Sequence, residues 1–122
     1  MDDMEFIEKV KELLPELNVD MGMEYCGSDE MIYAMVIATY VEDRLDEKII
    51  EAYESENLTN YATFAHAIKS SSLTLGLEEL SEYAKTFEFA AKEGNLDYIK
   101  ENHNELIKRY GRVLEAITSA QE

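Results

Sequence analysis

The apolar residues of this chain recur at steps of three and four positions, the spacing that places side chains on one face of an α-helix. Five segments carry this pattern, and the few Gly, Pro and Asn positions separate them. No stretch alternates with a period of two for long enough to indicate a strand. The pattern therefore predicts an all-α protein.

The first predicted helix is short and runs from Asp3 to Leu14, because Pro15 disfavours helix in the residue before it. A loop from Asn18 to Gly27 is expected next, with Gly22 and Gly27 as its turn residues.

A long apolar pattern then extends from residue 28 to Ser55, and Ser28 is suited to cap its first turn. Its apolar face is expected to consist of Ile32, Met35, Val36, Thr39, Tyr40, Leu45, Ile49, Ala52 and Tyr53. The acidic stretch from Glu42 to Asp46 has only Leu45 as an apolar residue, which leaves room for a bend.

Residues that favour helix ends bound the remaining three segments. Asn57 and Gly76 delimit a helix, Gly94 ends the next one, and Asn95 is suited to cap the last. The apolar positions of these helices are Leu58, Tyr61, Ala65, Ile68 and Leu75, with Ser72 in the remaining slot; Leu77, Leu80, Ala84, Phe87 and Ala91; and Leu96, Ile99, His103, Leu106, Tyr110, Val113 and Ile117.

Long helices joined by short turns favour antiparallel neighbours. We therefore expect one domain over residues 1–122, in which residues 28–118 form an antiparallel up-and-down four-helix bundle. The short extra helix of residues 1–17 is expected to cover one end of the bundle.

The charge of the chain restricts its partners. With 27 acidic and 11 basic residues, the formal net charge is −16, which repels the phosphate backbone of nucleic acids. Most of these acids are expected simply to solvate the exposed helix faces. Nucleic acid is therefore not expected as a partner.

Cysteine usage and hydropathy indicate the compartment. The lone Cys26 suits a reducing environment, and the acidic N-terminus lacks the features of a signal peptide. The longest nearly apolar run, Met31 to Val41, is about half as long as a membrane span. We expect a cytoplasmic monomer without membrane contact.

The two histidines differ in their relation to the predicted helix faces. His103 lies on the apolar face between Ile99 and Leu106, where a partly buried ring with a local hydrogen bond is expected. His66 lies beside the apolar face of its helix, and its neighbours three and four residues away are Ala62, Thr63, Lys69 and Ser70. Since an imidazole is largely neutral at pH 7, an unshielded ring has a lone pair that can attack phosphorus.

These residues form a pattern that resembles the histidine-containing phosphotransfer (HPt) domains of multistep two-component phosphorelays. The residues that carry the resemblance are His66, Lys69, Ser70, Ser72, Gly76, Leu80 and the pair Phe87-Glu88. Ser70 stands where the family often has Gly, and Phe87 where it usually has Leu. The resemblance extends upstream to Gly27-Ser28-Asp29-Glu30 and covers roughly residues 18 to 118.

The resemblance implies the same bundle and a specific chemistry. Nε2 of His66 would accept a phosphoryl group from an aspartyl phosphate on one receiver domain and pass it to another. The partners would be the receiver domains of response regulators and hybrid histidine kinases. The chain would have no cofactor of its own, because Mg²⁺ is bound by the acidic cluster of the receiver, and it would not be an enzyme by itself.

The neighbours of His66 then acquire expected roles. Lys69, one turn away, could neutralise phosphate oxygens in a loose transition state. The docking face would consist of Ala62, His66, Lys69, Ser70 and Leu73, with small residues that let a partner approach the ring. Ser72 points inward, toward its own helix backbone or a neighbouring helix, and Gly76 is expected to end the helix rather than to contact a partner.

Other functions are open to a helical bundle. There is no GxxxxGK[ST] loop for a nucleotide, and a di-iron site would need Glu where Thr63 and Lys100 precede the two histidines by three residues. A haem held by a Met and His103 remains open and would colour the protein. The second hypothesis is an acidic helical adaptor that binds receiver domains or other proteins without being phosphorylated.

Overall fold

The computed structural model describes residues 1–122, which form seven α-helices and no strand. This confirms the predicted all-α class and the helical bundle. The helices are α1 (Asp3–Leu13), α2 (Val19–Tyr25), α3 (Glu30–Glu42), α4 (Leu45–Glu54), α5 (Leu58–Leu75), α6 (Glu78–Glu93) and α7 (Leu96–Ala120).

The bundle consists of α5, α6, α7 and the consecutive pair α3 and α4, which together occupy the place of one long helix. The short turns at Gly76 and Gly94 make α5, α6 and α7 run alternately up and down. The most extensive helix contact is that between α5 and α6. Two buried tyrosines cross-link the core through their hydroxyls, because Tyr33 donates to the Leu75 carbonyl at 2.7 Å and Tyr61 lies 2.8 Å from His103 Nδ1.

The N-terminal helix α1 packs on α3 and α7 and buries Phe6, Ile7 and Val10 against them. Lys11 reaches past its end and donates to the carbonyls of Pro15 and Leu17 at 2.7 and 2.8 Å. The segment after α1 is therefore fastened to the helix that precedes it.

The predicted loop from Asn18 to Gly27 is wrong, because α2 occupies most of it. Asn18 caps this helix by accepting a hydrogen bond from the Met21 amide at 3.0 Å. Gly22 is a packing residue and not a turn, since a Cβ there would lie 2.4 Å from both the Tyr33 ring and the Leu75 carbonyl oxygen. Glycine in this helix thus reflects a close approach of α3 and α5.

The long predicted helix from residue 28 to Ser55 is broken where the acidic stretch left room for a bend. The break lies between α3 and α4, at Arg44, whose left-handed conformation has φ 46° and ψ 51°. The predicted cap is also wrong, because Asp29 and not Ser28 accepts from the Ile32 amide, at 3.1 Å.

The predicted apolar face of α3 is wrong as well. Ile32, Met35 and Thr39 are exposed, Val36 is partly buried, and of the predicted positions in α3 only Tyr40 is buried. The residues that α3 buries are Tyr33, Ala34, Ile37 and Tyr40. Because α3 is apolar on nearly all sides, its periodicity does not distinguish the face that packs from the face that is left outside.

The predicted ends of the last three helices are confirmed. Asn57 accepts from the Asn60 amide at 3.0 Å, and Asn95 accepts from the Tyr98 amide at 3.2 Å. Gly76 and Gly94 both have positive φ, 100° and 72°, at the helix C-termini. Of the predicted apolar faces of these helices, only Leu58 and Leu96 are not fully buried.

Candidate functional site

His66 lies halfway along α5 on the edge that faces α6, and its side chain is 56% exposed. The antiparallel turn at Gly76 brings Glu88 of α6 opposite this histidine. Its Oε2 atom lies 3.1 Å from His66 Nδ1. One side of the ring is therefore held by the bundle, while the rest faces solvent.

Glu88 is a buried carboxylate with three partners, and its side chain is only 5% exposed. Lys69 places its ammonium 2.8 Å from Oε1, and Lys92 donates to Oε2 at 2.7 Å. Burial alone would raise the pKa of Glu88, but Lys69, Lys92 and His66 outweigh it and lower the pKa to about 2. Glu88 is therefore ionised at neutral pH.

This carboxylate favours one tautomer of the His66 ring. An ionised carboxylate can only accept hydrogen bonds, so its short contact with Nδ1 favours the tautomer with the proton on Nδ1. The lone pair of the neutral ring then lies on Nε2, on the solvent side. Its one close polar neighbour is the Ser70 hydroxyl, at 3.4 Å.

The surroundings of His66 form an open groove between α5 and α6 with a volume of about 570 Å³. Ala62, Thr59 and Thr63 line it on α5, and Lys92 lines it on α6. Of the other residues expected on the docking face, Ser70 is exposed and Leu73 is partly buried. The small side chains on α5 leave the ring accessible to a large partner.

The remaining signature residues lie in the interior. Ser72 is fully buried and hydrogen-bonds to the Tyr40 hydroxyl of α3 at 2.8 Å. Its partner is therefore on a neighbouring helix and not the backbone of its own helix. Gly76 ends α5 and also lies against Asn18, whose amide donates to the Gly76 carbonyl at 2.8 Å. A Cβ at Gly76 would lie 2.1 Å from the Asn18 carbonyl oxygen.

His103 is a core residue, and it is more buried than expected. Its ring stacks on Tyr53 with 4.0 Å between centroids, and its hydrogen-bond partner, Tyr61, lies on another helix rather than nearby in the chain. Burial lowers the pKa of His103. Its position leaves no access for a reacting group.

Sequence reasoning missed part of this site. The sequence pattern indicates Glu88 only as a member of the signature pair and assigns no role to Lys92. A signal was available, because a turn at Gly76 pairs residues near 66 with residues near 88, and a lysine four residues after Glu88 lies on the same helix face.

The structure has neither a metal-binding cluster nor a helix that could span a membrane. No group of three or more His, Cys, Asp or Glu side chains converges in a way that could hold a metal ion. None of the seven helices combines the length and apolar character that crossing a membrane requires.

Comparison with known proteins identifies the family. A family model described as the Hpt domain matches residues 4–117 of the 122-residue chain. Neither the curated proteins nor the solved structures gave a match. Hpt domains are phosphotransfer modules that interact with receiver domains in phosphorelays. Because the match covers nearly all of the chain, this protein belongs to the Hpt domain family.

Proposed function

We propose that the protein is a phosphorelay intermediate that accepts a phosphoryl group on Nε2 of His66 from the aspartyl phosphate of one receiver domain and passes it to another. One observation carries the proposal. The exposed His66 ring is bound through Nδ1 to an ionised, buried carboxylate, which leaves Nε2 as an accessible nucleophile.

The reaction follows from this arrangement. The Nε2 lone pair attacks phosphorus, and the N–P bond forms as the P–O bond to the partner's aspartate breaks and releases a carboxylate. The proton on Nδ1 stays in place, so the phosphorylated ring carries a positive charge. Glu88 stabilises that charge as it develops. Transfer to the next aspartate reverses these bond changes and returns a neutral ring.

Positive charge near the ring supports the same proposal. Two ammonium groups, those of Lys69 and Lys92, surround the single carboxylate of Glu88 in a chain whose net charge is −16. Lys69 neutralises phosphate charge from its position against Glu88, and the local excess of one positive charge favours an anionic phosphoryl group.

Docking and the metal belong to the partner in this proposal. Ala62, Ser70 and Leu73 flank His66 on α5 and form the surface against which a receiver domain packs. The receiver supplies Mg²⁺ from its own acidic cluster, so the isolated protein has no turnover. We propose that it acts as a cytoplasmic monomer, in keeping with its free Cys26.

The test is transfer of label from a panel of phosphorylated receiver domains with Mg²⁺. The wild-type protein should acquire an acid-labile, alkali-stable label, and His66→Gln should abolish it. His103→Gln is the matched control, which should retain the label while lowering stability. Labelling that survives His66→Gln would refute the assignment. A wild-type protein that binds receivers without acquiring label would instead be the adaptor of the second hypothesis.

A further inference from the structure

The two oxygens of Glu88 are not equally supplied with partners. Oε1 makes no hydrogen bond, and its one partner is the ammonium of Lys69, with which it forms an ion pair at 2.8 Å. Oε2 has two, Lys92 at 2.7 Å and His66 Nδ1 at 3.1 Å. If Lys69 left, a buried carboxylate oxygen would lose its only partner, which is costly. If Lys92 left, Oε2 would keep the hydrogen bond from the ring.

The two lysines also differ in their freedom to move. The side chain of Lys69 is 26% exposed, whereas that of Lys92 is 59% exposed and lines the open groove beside His66. Because Lys92 and Nδ1 of the ring bind the same oxygen atom, the ammonium lies beside the Nδ1 edge of His66, and its flexible four-carbon stem allows it to turn toward Nε2.

Phosphorylation of His66 changes the balance at Oε2. The phosphorylated ring is cationic, so its Nδ1–H binds Oε2 more strongly and competes with Lys92 for that oxygen. The phosphoryl group at the same time adds a second centre of negative charge to the groove. Both effects draw Lys92 away from Glu88 and leave Lys69 where it is.

We propose that Lys92 is the cation that pairs directly with the phosphoryl oxygens of phosphorylated His66, while Lys69 remains bound to Glu88 as a positioning residue. This inference rests on the proposed function of His66. It assigns direct contact with the phosphoryl group to a residue of α6 and not to the lysine one turn beyond the histidine.

The test uses the full chain phosphorylated at His66 with phosphoramidate and titrated by ³¹P NMR. A paired ammonium lowers the pKa for the second ionisation of the phosphoryl group. Lys92→Gln should therefore raise this pKa by about 0.5 to 1, and Lys92→Arg should restore it. Lys85→Gln is the matched control, because it removes an exposed lysine of α6 that makes no ion pair.

A second measurement tests the positioning role of Lys69. In the unphosphorylated protein, Lys69→Gln should shift the ¹⁵N signals of the His66 ring, because it removes the only cation from Oε1 of Glu88 and lets the carboxylate move. If Lys92→Gln behaves like Lys85→Gln in the ³¹P titration, or if Lys69→Gln raises the phosphoryl pKa as much as Lys92→Gln does, the inference is wrong. Failure of wild-type His66 to take up label would instead refute the proposed function, and this inference with it.

Discussion

At the scale of single residues, Glu88 makes the stability of the fold depend on pH in the acid range. Its pKa is about 2 in the folded protein and near 4.5 when unperturbed, so the folded state favours the ionised form. The resulting stability is fully present above about pH 4.5 and is lost as pH falls toward about 2.

Glu88→Gln should therefore destabilise the protein at pH 7, and the difference from wild type should shrink as pH falls through this window. Denaturant unfolding at pH 7, 4 and 3 measures it. Glu82→Gln is the matched control, because Glu82 is exposed on the same helix and makes no ion pair. A difference between wild type and Glu88→Gln that stays constant down to pH 3 would contradict the role assigned to Lys69, Lys92 and His66 in keeping Glu88 ionised.

What the sequence revealed at this scale depended on distance along the chain. His66 and Lys69 are one helical turn apart, and their spacing is visible without a structure. The contacts of Glu88 join α5 to α6 across 22 and 19 residues, those to His66 and Lys69 respectively. The periodicity of one helix carries no information about such a pairing, and so Lys69 was expected to face a phosphate and not a buried carboxylate.

At the scale of helices, two glycines allow two contributions to the free energy of unfolding to be measured separately. One contribution is the strain of a left-handed backbone, and the other is the steric clash of a side chain with a neighbouring segment. Gly76 and Gly94 both end helices with positive φ, but only Gly76 has another segment against it, the backbone of Asn18. A Cβ at Gly94 would meet nothing within 4 Å.

Gly94→Ala should cost about 1–2 kcal/mol of unfolding free energy, the price of left-handed backbone for a residue with a Cβ. Gly76→Ala should cost roughly 3 kcal/mol or more, because the Asn18 carbonyl must also move. Urea unfolding of both variants measures the difference. If both variants lose the same unfolding free energy, the start of α2 moves away from residue 76 without destabilising the protein.

The helix ends show where local sequence suffices. Asn57 and Asn95 cap their helices as predicted, because a cap is a contact between residues three apart. The helix α2 and the face of α3 were not predicted, since each is decided by packing. Gly22 is a residue type common in turns, but here it packs against the Tyr33 ring. The exposed Met35 is apolar like the buried Ile37, so the sequence does not show which of them is buried.

At the scale of the whole molecule, the net charge of −16 acts against the compact state. Only six ion pairs between a Lys or Arg and an acidic side chain offset this repulsion, and two of them meet at Glu88. Most of the acids therefore have no cationic partner.

Raising NaCl from about 0.02 M to about 0.2 M should increase the thermal midpoint at pH 7, because salt screens repulsion between exposed charges. Tetramethylammonium chloride at the same ionic strength should act similarly, since screening does not depend on the identity of the cation. A midpoint that is unchanged, or that falls, in both salts would show that charge repulsion does not limit the stability of this fold.

The hydrogen bond between His66 Nδ1 and Glu88 has a consequence for the direction of phosphoryl flow. By microscopic reversibility, arrival at Nε2 and departure from it pass through the same transition state, and the stability that the carboxylate gives to phosphorylated His66 is the same for both receivers. Under the proposed function, the protein thus speeds the approach to equilibrium between two receivers without favouring either one. The net rate and direction of phosphoryl transfer then depend on the supply of phosphorylated donor and on how fast the acceptor's aspartyl phosphate is consumed.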